Sequence, residues 1–370
     1  MKKLLIFGYT MEMGGAEKAL VDTLKYLSDK CEIDLYLLEK KGTLLNSIPK
    51  NINVYQMKNN PITYAMFRFI PIIRKIFINK IASKKDYGYV FGYMEGRCGT
   101  WVSDIKKPIK KYAWIHNDVE KFNIGISDKE AKKTYSNVDK VICVSKEAKE
   151  IFVKKYGIDS SKVAVIYNFI DTSAIIKKSQ EFKVENKVFT FVNVAKMRDQ
   201  KRQDRLVNAA VYLKNKGYKF NIQLIGDGPN LNKIKEMVND LAVADVVSVL
   251  GLKNNPYPYI KNADYFVLSS YMEGYGIVIK EALTLKTKVI TTDVVGPKEI
   301  LENGKYGIIV PNNDDDLKYV MEEVMNNNEK YKYLEENLKE YQGDNEKIKK
   351  ETMKLLEMWG KIWKINKINY

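Results

Sequence analysis

One histidine and three cysteines are few for a chain of 370 residues. Cys31, Cys98 and Cys143 are scattered, odd in number and form no Cys-x-x-Cys pair. That spacing argues against a zinc or dithiol site and implies a reducing compartment, the cytoplasm. With 9 prolines and no Pro- or Ser-rich tract, no disordered arm is indicated. Nor is any apolar run long and uncharged enough to span a bilayer. The opening Met1-Lys2-Lys3-Leu4-Leu5-Ile6-Phe7-Gly8 imitates a signal peptide, but its apolar stretch is short and Glu12 soon interrupts it. It reads as the first buried strand of a parallel sheet, with Gly8 beginning the turn.

What the chain has in excess is positive charge. Lys and Arg total 62 against 46 Asp and Glu, a formal +16. Such an excess points to an anionic partner, whether nucleic acid, an anionic membrane or a phosphorylated substrate. No zinc finger, ribonucleoprotein signature or aromatic RNA platform is visible, so membrane and phosphate rank above nucleic acid. Hydrophobic residues make up 45% and charged residues 29%, the composition of a globular protein long enough for two cores.

Apolar periodicity alternates between the strand and helix repeats along the whole chain. In the first half, strands are predicted at Leu4–Phe7, Ile33–Leu38, Asn53–Met57, Tyr87–Tyr93, Lys111–Ile115, Lys140–Val144 and Val163–Ile166. Helices are predicted at Ala16–Ser28, with Leu20, Leu24 and Leu27 on one stripe, and at Lys146–Tyr156. A polar stretch from Thr172 to Asn186 separates a second series. Its strands are Phe189–Val194, Phe220–Ile225, Val246–Leu250, Tyr265–Leu268 and Val289–Thr292. Its helices are Asp204–Lys216, Leu231–Leu241 and Ile277–Leu285, and a helix-like tail runs from about Lys347 to the C-terminus. The fold class is therefore α/β: two doubly wound, Rossmann-like domains with a cleft between them.

The most informative stretch is Glu273-Gly274-Tyr275-Gly276, with Glu281 eight positions after Glu273. It lies between a strand-like and a helix-like run, so two carboxylates flank a strand-to-helix turn. Glycines there let backbone N–H groups approach a ligand. The helix N-terminus that follows favours a phosphate. A carboxylate can grip vicinal sugar hydroxyls. Together these features point to a nucleotide-sugar site, whereas the short pattern alone fits a plain capped turn.

Ser269-Ser270-Tyr271-Met272-Glu273-Gly274-Tyr275-Gly276 followed by Glu281-Ala282-Leu283 resembles the signature of retaining family-4 glycosyltransferases with the GT-B fold. Further segments similar to that family occur in the family's order: Gly14-Gly15-Ala16-Glu17, Ala113-Trp114-Ile115-His116-Asn117, Val165-Ile166-Tyr167-Asn168, Ala195-Lys196-Met197 with Lys201, Ile225-Gly226-Asp227-Gly228-Pro229, and Gly296-Pro297-Lys298-Glu299. The resemblance implies an N-terminal acceptor-side domain over 1–171 and a nucleotide-sugar domain over 187–345. It also implies a C-terminal helix, 346–370, that crosses back to the first domain.

The resemblance also assigns roles. Glu273, His116 and Lys201 would be catalytic. Glu273 would contact donor hydroxyls or steady charge at the anomeric carbon, and His116 would hydrogen-bond the donor sugar. Lys196 and Lys201 would neutralise the departing diphosphate. The family usually has arginine at the position of Lys196, and lysine keeps the charge without the forked geometry. Glu281 would hold the ribose, while Gly15, Gly274, Tyr275 and Gly276 would approach the donor. Many members carry phenylalanine where Tyr275 stands. No metal and no separate cofactor are implied, the nucleotide-sugar being the donor substrate.

The implied enzyme is a retaining transferase that moves a sugar, from UDP by family frequency, to a lipid-linked or glycan acceptor in surface-polysaccharide assembly. It would work in the cytoplasm, peripheral on the inner face of the cell membrane. A sugar-nucleotide epimerase of the same fold, or a non-enzymatic basic protein of membrane or nucleic-acid surfaces, are the alternatives.

Three segments have competing readings. In Ile62–Lys85, apolar residues recur at helical spacing while Arg68, Arg74 and Lys75 fall on the other side and Pro71 is expected to kink the helix. That helix either lies on an anionic membrane or packs into the first core. Asp314-Asp315-Asp316 reads as a helix N-terminus rather than a metal site. Gly226-Asp227-Gly228-Pro229 reads as a strand-exit turn.

Overall fold

Leu4, Leu5, Ile6 and Phe7 are all buried, as a strand covered on both faces requires. They belong to β1 (Lys2–Gly8), which is central in a seven-stranded sheet with β2 (Cys31–Leu37), β3 (Asn53–Gln56), β4 (Tyr89–Gly92), β5 (Lys110–Ile115), β6 (Lys140–Cys143) and β7 (Val163–Val165). The order is β3-β2-β1-β4-β5-β6-β7, and every pairing is parallel. A second sheet contains β8 (Phe189–Val194), β9 (Phe220–Ile225), β10 (Val247–Gly251), β11 (Tyr265–Leu268), β12 (Lys288–Thr292) and β13 (Ile308–Val310). Its order is β10-β9-β8-β11-β12-β13, again all parallel. Strand order reverses between β1 and β4 in one sheet and between β8 and β11 in the other. Loops leaving the C-terminal strand ends at such a reversal are where open α/β sheets build ligand sites.

This computed structural model describes residues 1–58, 65, 67, 69–326 and 329–357. They form two units. Among the described residues one comprises Met1–Phe169 and 344–357; the other is Ile170–Gly343. The helix Asn345–Leu355 belongs to the first unit. Its end is held there by the Tyr89 hydroxyl on the Leu356 carbonyl at 2.9 Å, the Tyr112 hydroxyl on the Leu355 carbonyl at 3.3 Å, and the Lys2 ammonium. Trp359, Ile362 and Trp363 lie outside the described residues.

Helix boundaries follow local chemistry. Lys146–Tyr156 begins where the Ser145 hydroxyl accepts the Ala148 N–H at 3.1 Å and ends at Gly157, whose φ of 60° stops it. The stripe Leu20, Leu24, Leu27 of Gly15–Leu27 is buried. Part of the stretch expected as a polar connection, 172–186, is instead the helix Thr172–Lys178 of the second unit. Asp171 caps it through the Ala174 N–H at 3.0 Å, and Ile175 alone is its buried residue, which left no periodicity to read. No strand was expected at β13, Ile308–Val310.

The segment near residue 71 also departs from expectation. Pro71 is the first residue of the helix Pro71–Ala82, where its missing N–H costs nothing, so it starts the helix and does not kink it. Arg74 does not face solvent: its Nε donates to Asp104 at 2.7 Å and its side chain is 15% exposed. Ile78, Ile81 and Ala82 make the packed side, and Phe67 lies against Phe77 and Trp101. Ile72 and Ile76 are each 66% exposed, and Phe69 is 70% exposed. Ile62, Met66 and Arg68 lie outside the described residues. Among those described, no helix is long and apolar enough to cross a membrane.

Candidate functional site

Two loops of the second unit, from the C-terminal ends of β8 and β11, are bolted together. The Gln200 side-chain amide donates to the Met272 carbonyl at 2.9 Å, and the Tyr271 N–H donates to the Gln200 carbonyl at 2.8 Å. The Ser269 hydroxyl donates to the Lys201 carbonyl at 2.9 Å. These contacts carry Lys201 to Glu273, and the two side chains form a salt bridge across 72 residues of sequence. Ser270 donates a second hydrogen bond to the same carboxylate oxygen at 2.6 Å. Glu273 is 8% exposed at its side chain and Lys201 20%, so the pair is shielded from water while its cation still reaches the surface.

Arg205 anchors this arrangement from beneath. Its buried guanidinium donates to Asp314 at 2.7 Å, to Asn312 at 2.7 Å and to the Ser269 carbonyl at 3.2 Å. Arg202 adds a second guanidinium on Asp314 at 3.0 Å. Burial pushes the Asp314 pKa up, and the hydrogen bonds and charges of Arg205 and Arg202 outweigh it, holding the carboxyl below its ordinary value. Asp314 is thus a strut rather than a cap. The cap of the helix Asp316–Asn326 is Asn313, whose side-chain oxygen accepts from Asp315 and Asp316 N–H at 3.0 and 2.8 Å.

After Glu273 the chain turns through Gly274, Tyr275 and Gly276 into the helix Ile277–Thr284. Gly276 has φ 82°, a left-handed conformation glycine adopts freely. Gly296 packs against this turn so closely that a Cβ would stand 2.4 Å from Tyr275 Cα. Tyr275 is buried, and so is Glu281 in the second turn of the helix, at 4% exposed. Glu281 is therefore not a solvent-facing helix glutamate. Lys196 is half-buried on the loop after β8, and its carbonyl accepts from Gln203 at 3.4 Å. Of the residues singled out by sequence, Lys196, Lys201, Glu273, Gly274, Tyr275, Gly276 and Glu281 share the second unit.

Gly15 and His116 belong to the first unit. Gly15 opens the helix after β1. His116 follows β5, is 6% exposed, and packs its ring against Tyr93 with centroids 4.9 Å apart. Neither buried ring nitrogen has a hydrogen bond of good geometry, although the Tyr93 backbone lies close enough to act on the ring. Burial lowers its pKa from the ordinary value, while the Glu95 carboxylate and the Tyr93 backbone pull the other way. A neutral imidazole carries one donor and one acceptor.

Sequence reasoning missed Glu95. It is 6% exposed at the exit of β4, and its carboxylate accepts from the His116 backbone N–H at 3.0 Å and from the Asn117 side-chain amide. A signal was present: Tyr93-Met94-Glu95-Gly96 repeats, letter for letter, Tyr271-Met272-Glu273-Gly274.

Residues 13–174 match the family described as Glycosyltransferase Family 4, and residues 174–341 match Glycosyl transferases group 1. The chain belongs to the family-4 glycosyltransferases. Its two parallel sheets are those of the GT-B fold. A solved GT-B structure, HepE of Anabaena in complex with UDP and glucose, superposes with a TM-score of 0.76 at 20% identity, covering 96% of this chain and all of that one. An uncharacterized glycosyltransferase of Methanocaldococcus jannaschii is 28% identical over 55% of this chain and 57% of its own length. The N-acetylgalactosamine-N,N'-diacetylbacillosaminyl-diphospho-undecaprenol 4-alpha-N-acetylgalactosaminyltransferase of Campylobacter jejuni is 25% identical over 84% of this chain and 86% of its own length.

Proposed function

We propose that this glycosyltransferase moves a sugar from a UDP-sugar to a lipid-linked or glycan acceptor in cell-surface polysaccharide synthesis, with retention of anomeric configuration and without a metal ion. The carrying observation is the Lys201–Glu273 pair at the β8/β11 reversal, which sets a cation and a carboxylate side by side behind a glycine turn. UDP bound to HepE supports the nucleotide, and the diphospho-undecaprenol acceptor of the Campylobacter relative supports a lipid-linked one. The alpha linkage in that relative's name is what retention gives from an α-configured nucleotide-sugar.

In the proposed reaction the acceptor oxygen bonds to the anomeric carbon on the face from which the diphosphate departs. The anomeric C–O bond to phosphate breaks, and the leaving phosphate takes the acceptor proton, so no protein base is needed. Lys201 and Lys196 stabilise the charge growing on that phosphate, work a divalent ion does elsewhere. Glu273 steadies the anomeric centre, Glu281 takes the ribose hydroxyls, and His116 hydrogen-bonds the donor sugar.

A ligand that binds only the native state raises the melting temperature. In a panel of UDP, GDP, ADP and CMP, UDP should give the largest rise. If UDP gives no more than CMP does, the donor assignment is wrong. Transfer should survive EDTA, and a product of inverted configuration by NMR would end the retaining reading.

The membrane contact is proposed on the exposed side of Pro71–Ala82. Ile72 and Ile76 stand out with exposed Lys75 and Lys80 nearby, a basic apolar surface of the kind that lies on anionic lipid. Each basic residue near such a surface contributes about 1 kcal/mol. A Lys75→Glu, Lys80→Glu variant, left folded because these side chains are exposed, should bind anionic vesicles at least tenfold more weakly. Sedimentation equal to wild type at low salt would remove this surface from the reading. Arg74 is unsuitable for that test, since its loss strands Asp104.

A further inference from the structure

In both sheets a Tyr-Met-Glu-Gly tetrapeptide follows the strand at the order reversal, β4 in one and β11 in the other. In both, the glutamate is buried and reaches sideways to a neighbouring loop. Glu273 holds Lys201 on the loop after β8. Glu95 holds His116 and Asn117 on the loop after β5, by a 3.0 Å bond to the His116 N–H and a second bond to the Asn117 amide. The backbone around Glu95 is itself fixed. Tyr9 donates to the Glu95 carbonyl at 3.0 Å, and the same hydroxyl accepts from the Arg97 N–H at 3.0 Å. The Gly96 N–H donates to the Tyr135 hydroxyl at 2.9 Å.

We propose that Glu95 is a positioning residue of the sugar site: it fixes the loop after β5 and so sets where the His116 ring stands against Tyr93. This rests on the donor-sugar role proposed for His116. Three observations meet on Glu95. The imidazole is buried without a hydrogen bond of good geometry, a costly state unless a ligand completes it. Its ring is held by Tyr93, two residues before Glu95. The carboxylate accepts from the His116 backbone and from Asn117, one bond on each oxygen, and not from the ring. Glu95 thus sets where His116 is without competing for what His116 binds.

The single histidine makes this testable without ambiguity, since the protein has one imidazole signal by NMR. Glu95→Gln keeps the side-chain shape but loses the charge and one strong acceptor. Its imidazole signals at pH 7 should move from their wild-type positions. Turnover with a UDP-sugar should fall about tenfold or more, the consequence of a poorly satisfied buried N–H. UDP affinity should stay within about twofold, because Glu281 and the lysines are untouched. Should Glu95→Gln fail to fold, Asn117→Ala, which cuts only one of the two bonds, carries the test with a smaller loss. Imidazole signals that coincide with wild type, turnover that does not fall, or UDP binding that falls as far as turnover would each overturn the proposal. If wild type itself transfers no sugar, the functional reading fails, and the imidazole signals still decide whether Glu95 positions His116.

Discussion

Lys201→Ala should lower sugar transfer about 10²–10³-fold, the cost seen when one preorganised group facing developing negative charge is removed. The reasoning is electrostatic. The departing diphosphate gains charge in the transition state, so a fixed cation nearby lowers the barrier more than it tightens the ground state. Lys201 is suited to this because its loop is tied to the β11 exit through Gln200 and Ser269, so little reorganisation is needed. The substitution also strands Glu273, and breaking a buried pair can cost up to about 3–5 kcal/mol of stability. Melting temperature must therefore be read beside kcat. Lys201→Arg keeps the charge and should retain most of the stability but only part of the rate. If Lys201→Ala melts like wild type and turns over like wild type, Lys201 is a solvated lysine. If wild-type transfer is lost in EDTA and returns with magnesium, the metal-free reading fails.

Glu273→Gln and Glu281→Ala should divide along the steps of the reaction. Glu273→Gln should cut kcat by about 10²-fold or more while UDP affinity changes little, since the proposed contact is with the sugar and with charge at the anomeric carbon. Glu281→Ala should weaken UDP binding by about 1.5–3 kcal/mol, the value of hydrogen bonds to a charged group, with a smaller change in kcat at saturation. The motive is position: Glu273 precedes the glycine turn and contacts Lys201, while Glu281 sits in the second turn of the following helix. Calorimetry with UDP and initial rates on the same preparations separate the two. Equal losses of affinity and rate in both variants would show that the turn acts as one unit and that the division of labour is mistaken.

Much of the architecture is legible without coordinates. Phe189–Val194, Phe220–Ile225, Tyr265–Leu268 and Lys146–Tyr156 fall where the apolar periodicity places them. Elements with little periodicity are not legible: Thr172–Lys178 buries one residue, and β13 has three. The side of Pro71–Ala82 that faces inward is not legible either. Arg74 turns in because Asp104 waits there, a partner 30 residues away that no helical wheel contains.

Two parallel α/β units, the strand ends from which the loops leave, and the kinds of side chain those loops carry can all be read from the order of residues. These are local properties, because burial repeats every 2 residues in a strand and every 3.6 in a helix wherever one face is covered. Which side chains meet depends on the packing of distant elements. Lys201 finds Glu273 because β8 and β11 are neighbours, and Glu95 finds His116 because β4 and β5 are. Strand order is set by packing across the whole sheet. Glu95 therefore looks, in the sequence, like any glutamate before a glycine, and becomes a positioning candidate only when β5 lies beside it.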